Sequence, residues 1–340
     1  MSNKKQPTIK DVSNLAGVGV STVSRYINKS GYVSEKVAEK INDAIKELNF
    51  IPSNYARILK GSSSKILTLI VPDITNPYYG EMYATVQTLA EKYDYYVYLY
   101  QSNKKEQNEL KAITICKNTF SEGLIFCSEG KSVQVLEALK ELDIPIVASN
   151  LYDEVCFDTI HSEDGIGIFL MTRYLLEQGH QKIGYAGGSK ESYINQKRKR
   201  GYQKALLEKN ITMNDDYVFE MDFSADAGYR AGKYFATLKD KPTAICAAND
   251  MIALGVITGL QEQDIRIPED ISVTGEDDIE FAKMWRPSLT TVDNSGSKFG
   301  EIACKMLFER IIEGYNGTPR VVKSERKVIV RQSTKSIKSE

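Results

Sequence analysis

The acidic triplet Glu276-Asp277-Asp278 carries the oxygen donors that bind a divalent cation, but no second acidic pair at suitable spacing points at it. Gly187-Gly188-Ser189-Lys190-Glu191-Ser192 has the small residues of a phosphate loop without the Walker spacing that places a lysine on the phosphates. G-x-S-x-G and H-E-x-x-H are both absent. His161 and His180 are the only histidines, too few for a histidine-rich metal site. Cys116, Cys127, Cys156, Cys246 and Cys304 stand apart with no C-x-x-C pair and read as reduced, buried, inert thiols. No nucleophile has a base beside it. The chemistry excludes the common enzyme classes and calls for no metal or cofactor. What remains is binding chemistry.

Charge divides that binding chemistry along the chain. The 340 residues are 42% hydrophobic and 26% charged, which suits two or three domains with sizeable cores. Lys+Arg number 44 against 45 Asp+Glu, a formal charge of −1. Split at Gly61, the sum separates into +5 for the first part and −6 for the remainder. A basic head suits a polyanion such as nucleic acid, and whole-chain neutrality hides it. The opening MSNKKQPTIKD lacks the apolar stretch of a signal peptide, and runs such as Ile66–Val71 are too short to cross a bilayer. A soluble, cytoplasmic protein with no membrane partner is expected.

The head reads as helices. Thr8 followed by Ile9, Val12 and Leu15–Ala16 predicts a short amphipathic helix capped by Thr8, and Gly17 suits a tight turn. Val20–Asn28 predicts a second helix that buries Val23 and Ile27 and exposes Ser21, Ser24 and Arg25. Ser34–Asn49 predicts a third, with Val37, Ile41, Ala44, Ile45 and Leu48 on one face and no acidic residue to complete a capping box. Together they make a helix-turn-helix, although spacing alone equally allows another small helical bundle. In Pro52–Lys60, Ser53 is placed to cap a turn or two, and Ala56 permits close approach of two such segments. So short a helix is unstable alone, which leaves linker and helix both open.

TIKDVSNLAGVGVSTVSRYIN, followed by VSEKVAEKINDAIKELNFIPSNYARILKG, closely resembles the DNA-binding head of the LacI/GalR repressor family, and the resemblance continues through the whole chain. It implies that the helix from Val20 enters the major groove, with Val20, Ser21 and Arg25 reading bases. Arginine can bond guanine bidentately, serine can donate or accept, and valine can pack on a thymine methyl. Thr8, Thr22, Ser24 and Asn28 would hold phosphates. Gly19 stands where the family usually has serine as the helix cap; glycine is an adequate cap, so a slightly looser recognition helix is expected. The resemblance also makes Ser53, Ala56, Leu59 and Lys60 part of a hinge helix that pairs with its dimer mate on DNA, with Leu59 as the apolar wedge in the minor groove.

Beyond Gly61-Ser62-Ser63-Ser64, strand-like runs alternate with helical stretches. Strands are expected at Ile66–Val71, Tyr96–Tyr100, Gly123–Cys127, Pro145–Ser149, Lys182–Gly187, Thr243–Ala248 and Ile271–Gly275. Helices are expected near 78–93, 106–118, 132–142, 163–179, 195–209, 226–238 and 250–263. The alternation predicts parallel sheets covered by helices on both faces, in two lobes, with a ligand beyond the strands' carboxyl ends. The fold class is thus a small all-α helix-turn-helix head joined to an α/β, two-lobed, periplasmic-binding-protein-like sensor with two doubly wound parallel sheets. Its divisions are a head at 1–50, a hinge at 51–64 and a sensor at 65–340. Lobe 1 is expected at about 65–159 and 293–321, and lobe 2 at about 160–292 and 322–334.

Residues following these strands are again those of LacI/GalR sensor domains, which resemble sugar-binding periplasmic proteins. By matching position, Tyr78 and Tyr79 would stack on a ligand from the first lobe and Phe223 from the second, while Arg198 and Asp277 make polar contacts. Asn150 stands where several relatives carry aspartate, and Ser192 where purine-binding ones carry arginine, which favours a sugar. Asn249 is either a cleft contact or a structural group; Phe223 also reads as core. Asp250 reads as the cap of the following helix, His180 as a partner of a helix C-terminus, and Trp285 as lying at the lobe crossover or the cleft rim. The tail after Val330 reads as a frayed end without the leucine heptads of a tetramerisation segment.

The function implied is a cytoplasmic, nucleoid-associated homodimeric repressor of a carbohydrate-utilisation operon. It would bind double-stranded, pseudo-palindromic operator DNA under the control of a small-molecule effector, a sugar. The alternatives are a nucleobase or nucleoside sensor or a global catabolite regulator of the same family, and more distantly a solute-binding protein. The wedge assignment gives a direct expectation. Leu59→Ala should weaken specific operator binding more than nonspecific binding, and an unchanged specificity ratio in a binding titration overturns it.

Overall fold

The structure, a computed structural model, describes residues 7–28, 30–50, 63–149, 156–161 and 165–338. The hinge residues Ser53, Ala56, Leu59 and Lys60, and Asn150 of the sensor, lie outside that set. The chain divides into two compact units, Met1–Ser64 and Lys65–Glu340.

In the first unit α1 spans Ile9–Ala16, α2 Val20–Ile27 and α3 Glu35–Glu47. Thr8 caps α1 more completely than expected. Its backbone and hydroxyl both donate to Asp11 Oδ2 at 2.7 Å, while Asp11 N–H donates back to the hydroxyl, forming a capping box. Gly17 closes α1 in the left-handed region at φ 65°, which a residue bearing Cβ adopts only with strain. Gly19 caps α2 without a side-chain bond, and Ser34 leaves α3 likewise uncapped by its hydroxyl. Val12, Ala16, Val23, Ile41, Ala44 and Phe50 form one apolar core joining the three helices.

The second unit contains β1 (Ile66–Val71), α4 (Pro77–Glu91), β2 (Tyr96–Gln101), α5 (Glu106–Asn118), β3 (Gly123–Phe126), α6 (Val133–Lys140), β4 (Ile146–Ser149) and β5 (Asp158–His161). It continues with α7 (Ile166–Glu177), β6 (Ile183–Gly187), α8 (Tyr193–Leu207), β7 (Val218–Glu220), α9 (Ala225–Thr237), β8 (Ala244–Ala247), α10 (Asp250–Gln261) and β9 (Ser272–Thr274). Then follow α11 (Glu280–Met284), β10 (Thr291–Val292), α12 (Gly296–Ile311), β11 (Val321–Lys323) and β12 (Val328–Ile329). One sheet has the order β11-β5-β4-β3-β1-β2 and the other β7-β6-β8-β9, all neighbours parallel. The short antiparallel pair β10-β12 carries the chain between them. The strand order reverses beside β1 in the first sheet and beside β6 in the second. Both reversals leave a crevice at the strands' carboxyl ends.

Several boundaries move. The expected lobe changes after 159 and after 321 fall inside β5 and β11, so the first sheet runs on to His161 and Lys323 before the chain crosses. The long helix α12 and the short strands β5, β7, β10, β11 and β12 have no counterpart among the elements read from sequence. Trp285 is half-buried against the second-lobe core, away from the cavity lining.

The tail is no frayed end. Val273 N–H donates to Ser333 O at 2.8 Å, so the tail adds backbone pairing to the open edge of β9. The fully buried Ser333 hydroxyl donates to Val273 O at 2.6 Å and accepts from Thr290 N–H at 2.8 Å. Ile337 N–H then donates to Gln178 O at 2.9 Å at the end of α7. His180 belongs to this strap rather than acting as a charged dipole partner. Its buried ring places Nδ1 2.9 Å from Thr243 Oγ1 and Nε2 3.1 Å from Lys335 O, and burial lowers its pKa. Ser333→Ala should therefore leave a buried donor and acceptor unmatched, lowering the sensor's stability by about 1–3 kcal/mol in urea denaturation.

Candidate nucleic-acid interface and ligand cavity

On the head, burial of Val23 fixes which face of α2 is free. Val20, Ser21, Arg25 and Asn28 are exposed, as is Thr8 before α1; Thr22 and Ser24 are half-buried. Arg25 makes no ion pair with any described residue, so its guanidinium is available to an acceptor. Asn28 Nδ2 donates to Ser24 Oγ at 3.2 Å, which couples two of the expected phosphate contacts. A short helix thus presents an arginine, a serine and a valine together, the mixture that reads base edges.

In the sensor, loops following both sheets converge on one cavity of about 130 Å³. Asn76 caps α4 by accepting from Tyr78 N–H at 3.1 Å, which brings Tyr78 and Tyr79 to the first turn and into the lining. Their rings meet edge to face at 5.0 Å, and burial raises both hydroxyl pKa values well above the ordinary range. Ser128 and Glu129, just beyond β3, complete this wall with Ser149 at the end of β4. Burial lifts the Glu129 carboxyl above its usual range, opposed by Lys104 at 3.6 Å.

The second lobe supplies the charge. Asn195 pins the start of α8: its Oδ1 accepts from Tyr185 OH at 2.8 Å and Gly188 N–H at 2.9 Å, and its Nδ2 donates to Glu220 at 2.7 Å. One turn later Arg198 points into the cavity, 3.5 Å from both Glu276 Oε1 and Asp277 Oδ1. Burial disfavours the guanidinium charge, but the two carboxylates outweigh it and raise its pKa. One cation cannot neutralise both partners. The Asp277 carboxyl accordingly titrates well above its usual range through desolvation, with Asp250 and Glu276 adding repulsion. Phe223 is both core and lining, with the Arg198 guanidinium 5.5 Å from its ring centre.

Two parts of the chain match known families. Residues 8–53 match the bacterial regulatory proteins of the lacI family, and residues 172–334 match the periplasmic binding protein-like domain. The HTH-type transcriptional repressor PurR of Vibrio vulnificus (strain CMCP6) is 34% identical over 334 residues, 97% of this chain and 99% of the relative. The chain belongs to the LacI family. The lac repressor dimer bound to operator and the anti-inducer ONPF superposes with a TM-score of 0.81 at 25% identity, covering 97% of this chain and 100% of that one. The transcriptional regulator CelR in complex with cellobiose gives a TM-score of 0.71 at 25% identity, covering 96% and 99%. As a LacI-family member the chain is a ligand-responsive DNA-binding repressor, not an enzyme. Among the described residues no helix is long and apolar enough to cross a membrane.

Within this LacI-family sensor, Tyr78, Tyr79, Arg198, Phe223, Asn249 and Asp277 all line the one cavity. Asn249 also caps α10, its Oδ1 accepting from Ile252 N–H at 2.9 Å, so it serves in both of the roles left open by sequence. That displaces Asp250 from the cap. Asp250 lies fully buried, with Oδ1 accepting from Thr291 Oγ1 and Oδ2 from Ile279 N–H at 3.0 Å. Ser192 caps α8 and is not among the lining residues, so its departure from arginine says little about this cavity. Sequence reasoning overlooked Glu129, Ser149, Glu276 and Arg326 as lining groups. For Glu276 the signal was present, since it immediately precedes Asp277. Four of the cysteines are buried, and Cys127 lies in the lining with its thiol pushed up to about 12 by burial.

Asp250 makes stability depend on pH. Burial raises its carboxyl from 3.8 to about 7. The folded protein therefore holds an extra proton between about pH 4 and 7, and that stabilisation is full below about 4 and lost as pH rises through about 7. Asp250→Asn should flatten this dependence. The difference in unfolding free energy between variant and wild type should change by a few kcal/mol from pH 5 to 8, measured by urea denaturation.

Proposed function

We propose that this chain is a homodimeric repressor that binds a pseudo-palindromic operator and is gated by a nucleobase or nucleoside in its interlobe cavity. The observation carrying the effector class is the lining itself: aromatic rings from both lobes with a buried, unbalanced Arg–carboxylate cluster between them. Flat heterocycles use stacking faces together with edge donors and acceptors. Near-full-length similarity to purine repressors supports this class over the sugar expected from sequence. A polyol is the second reading, supported by the same stacking and charge and by the resemblance to a cellobiose-bound regulator.

On the DNA side, Val20, Ser21 and Arg25 would read bases, while Thr8, Thr22, Ser24 and Asn28 hold phosphates. Ser53, Ala56, Leu59 and Lys60 would form the paired hinge. Two heads on a dimer match the symmetry of a pseudo-palindrome. Effector binding would bias the angle between the lobes and so the hinge, and a coupling of about 1–3 kcal/mol is enough to regulate.

A thermal-shift screen of nucleobases, nucleosides and neutral sugars tests the effector class. Saturating ligand at about a hundredfold above Kd should add about 2.7 kcal/mol of stability. Stabilisation by bases supports the reading; stabilisation by sugars alone replaces it with the polyol. Footprinting on genomic fragments should show a protected pseudo-palindrome, and Arg25→Ala should abolish preference at one base pair of each half-site, a change of about 1–3 kcal/mol.

A further inference from the structure

One carboxylate oxygen in the cavity has no hydrogen-bond partner among the described residues. Glu276 is 5% exposed, and its Oε1 faces Arg198 at 3.5 Å, but its Oε2 is buried without a hydrogen bond. Leaving such an acceptor unmatched is costly, and native proteins do so mainly where something else supplies the donor. The backbone is shaped around this carboxyl. A Cβ on Gly167, in the first turn of α7, would come within 2.5 Å of the Glu276 carboxyl carbon, so only glycine there lets the side chain lie as it does. Two other lining atoms likewise have no hydrogen-bond partner among the described residues: Ser149 Oγ at the end of β4 and Nε of Arg326, whose Nη1 donates to Ser324 Oγ at 2.7 Å, on the last crossover. The lining thus offers an unpaired acceptor from lobe 2, a hydroxyl from lobe 1 and a guanidinium donor between them.

We propose that Glu276 sets the chemistry of the effector: its free Oε2 takes a hydrogen-bond donor from a neutral or cationic molecule and excludes anionic ones. Arg198 is already shared between two carboxylates, so it offers little uncompensated charge to a phosphate or carboxylate group. An anion entering would meet the Glu276 carboxylate at close range in a desolvated site, where like charges repel strongly. On the effector reading above, on which this inference rests, the donor is an N–H of a nucleobase. The acceptor side of the same molecule faces Arg326.

Calorimetric titration of the full chain with adenine, guanine, glucose and glucose 6-phosphate tests this on the wild type, Glu276→Gln and Gly167→Ala. The wild type should bind a nucleobase and reject glucose 6-phosphate. Glu276→Gln should bind that base about tenfold or more weakly while losing part of its discrimination against the phosphate, a change in selectivity that lost packing alone does not produce. Gly167→Ala should weaken the base in the same way by displacing the carboxyl. A base bound equally well by wild type and Glu276→Gln overturns the inference and leaves the effector reading standing. Glucose bound in place of a base, and weakened by Glu276→Gln, overturns the nucleobase reading and leaves the role of Glu276 standing. Preference of the wild type for glucose 6-phosphate overturns the inference, and binding of none of the four overturns both. If Glu276→Gln fails to fold, Glu276→Asp carries the comparison, because it keeps the charge and withdraws the oxygen by one methylene.

Discussion

The sensor is organised by one half-buried cation, Arg198, set between the buried Glu276 and Asp277. Taking charged groups out of water is unfavourable unless the surroundings hold them in place. Asn195 and the Lys199–Glu220 pair at 2.7 Å fix the helix that carries the arginine. The turn after β9 that carries the carboxylates is strained, with Asp277 at φ 132° and Asp278 at φ 56°. That strain is held from the crossover strands: Asp277 N–H donates to Val292 O at 3.1 Å, and Asn294 Nδ2 donates to Asp277 Oδ1 at 3.2 Å. Arg331, at the start of the tail, donates to both Asp278 and Leu289 O. The crossover, the strained turn and the tail strap are consequently parts of one device, and the site cannot move without them.

What could be read from the sequence follows the range of the interactions involved. Val12, Val23 and Ile41 sit in one core because their spacing is helical, a local property. The apolar runs at β1, β3, β6 and β8 were equally plain, because strands buried on both faces are hydrophobic throughout. β10 and β12 contain two residues each and exist only by pairing with one another, which no local pattern announces. The tail misled for the same reason: Ser333 is polar, yet its partners at Val273 and Thr290 lie 60 and 43 residues away. In the site, the strand-end rule located the right loops but could not rank neighbours within them. Asn249 and Asp250 are both good caps, and only the geometry gives the cap to one and buries the other.

The charge division has a structural counterpart. The exposed Arg25 has no ion-pair partner among the described residues, whereas Arg198, Arg310 and Arg320 of the sensor, each half-buried, are committed to carboxylates. Asp158, for example, accepts from both Arg310 and Arg320 at 2.7 Å, and these pairs hold α12 and β11 to β5. Sensor cations so engaged cannot contribute much to a polyanion surface, while the exposed Arg25 of the head is placed to displace counterions. The whole-chain charge of −1 averages two surfaces built by different rules.

The lobes also meet directly on both sides of the cavity. Glu280 N–H, at the start of α11, donates to Glu81 Oε1 on α4 at 3.2 Å, and Tyr193 N–H, at the start of α8, donates to Glu129 O at 3.2 Å. The Lys131 ammonium lies 5.3 Å from the Tyr193 ring, and Ile194 packs on the first-lobe core. Each such hydrogen bond is worth only about 0.5–1.5 kcal/mol net against water. Their sum is comparable with the roughly 1–3 kcal/mol by which an effector typically shifts a regulatory equilibrium. Contacts much stronger than this would hold the lobes in one arrangement whatever occupied the cavity, and contacts much weaker would leave the arrangement undefined. Rim contacts of modest strength around a charged, incompletely paired interior let the occupant decide.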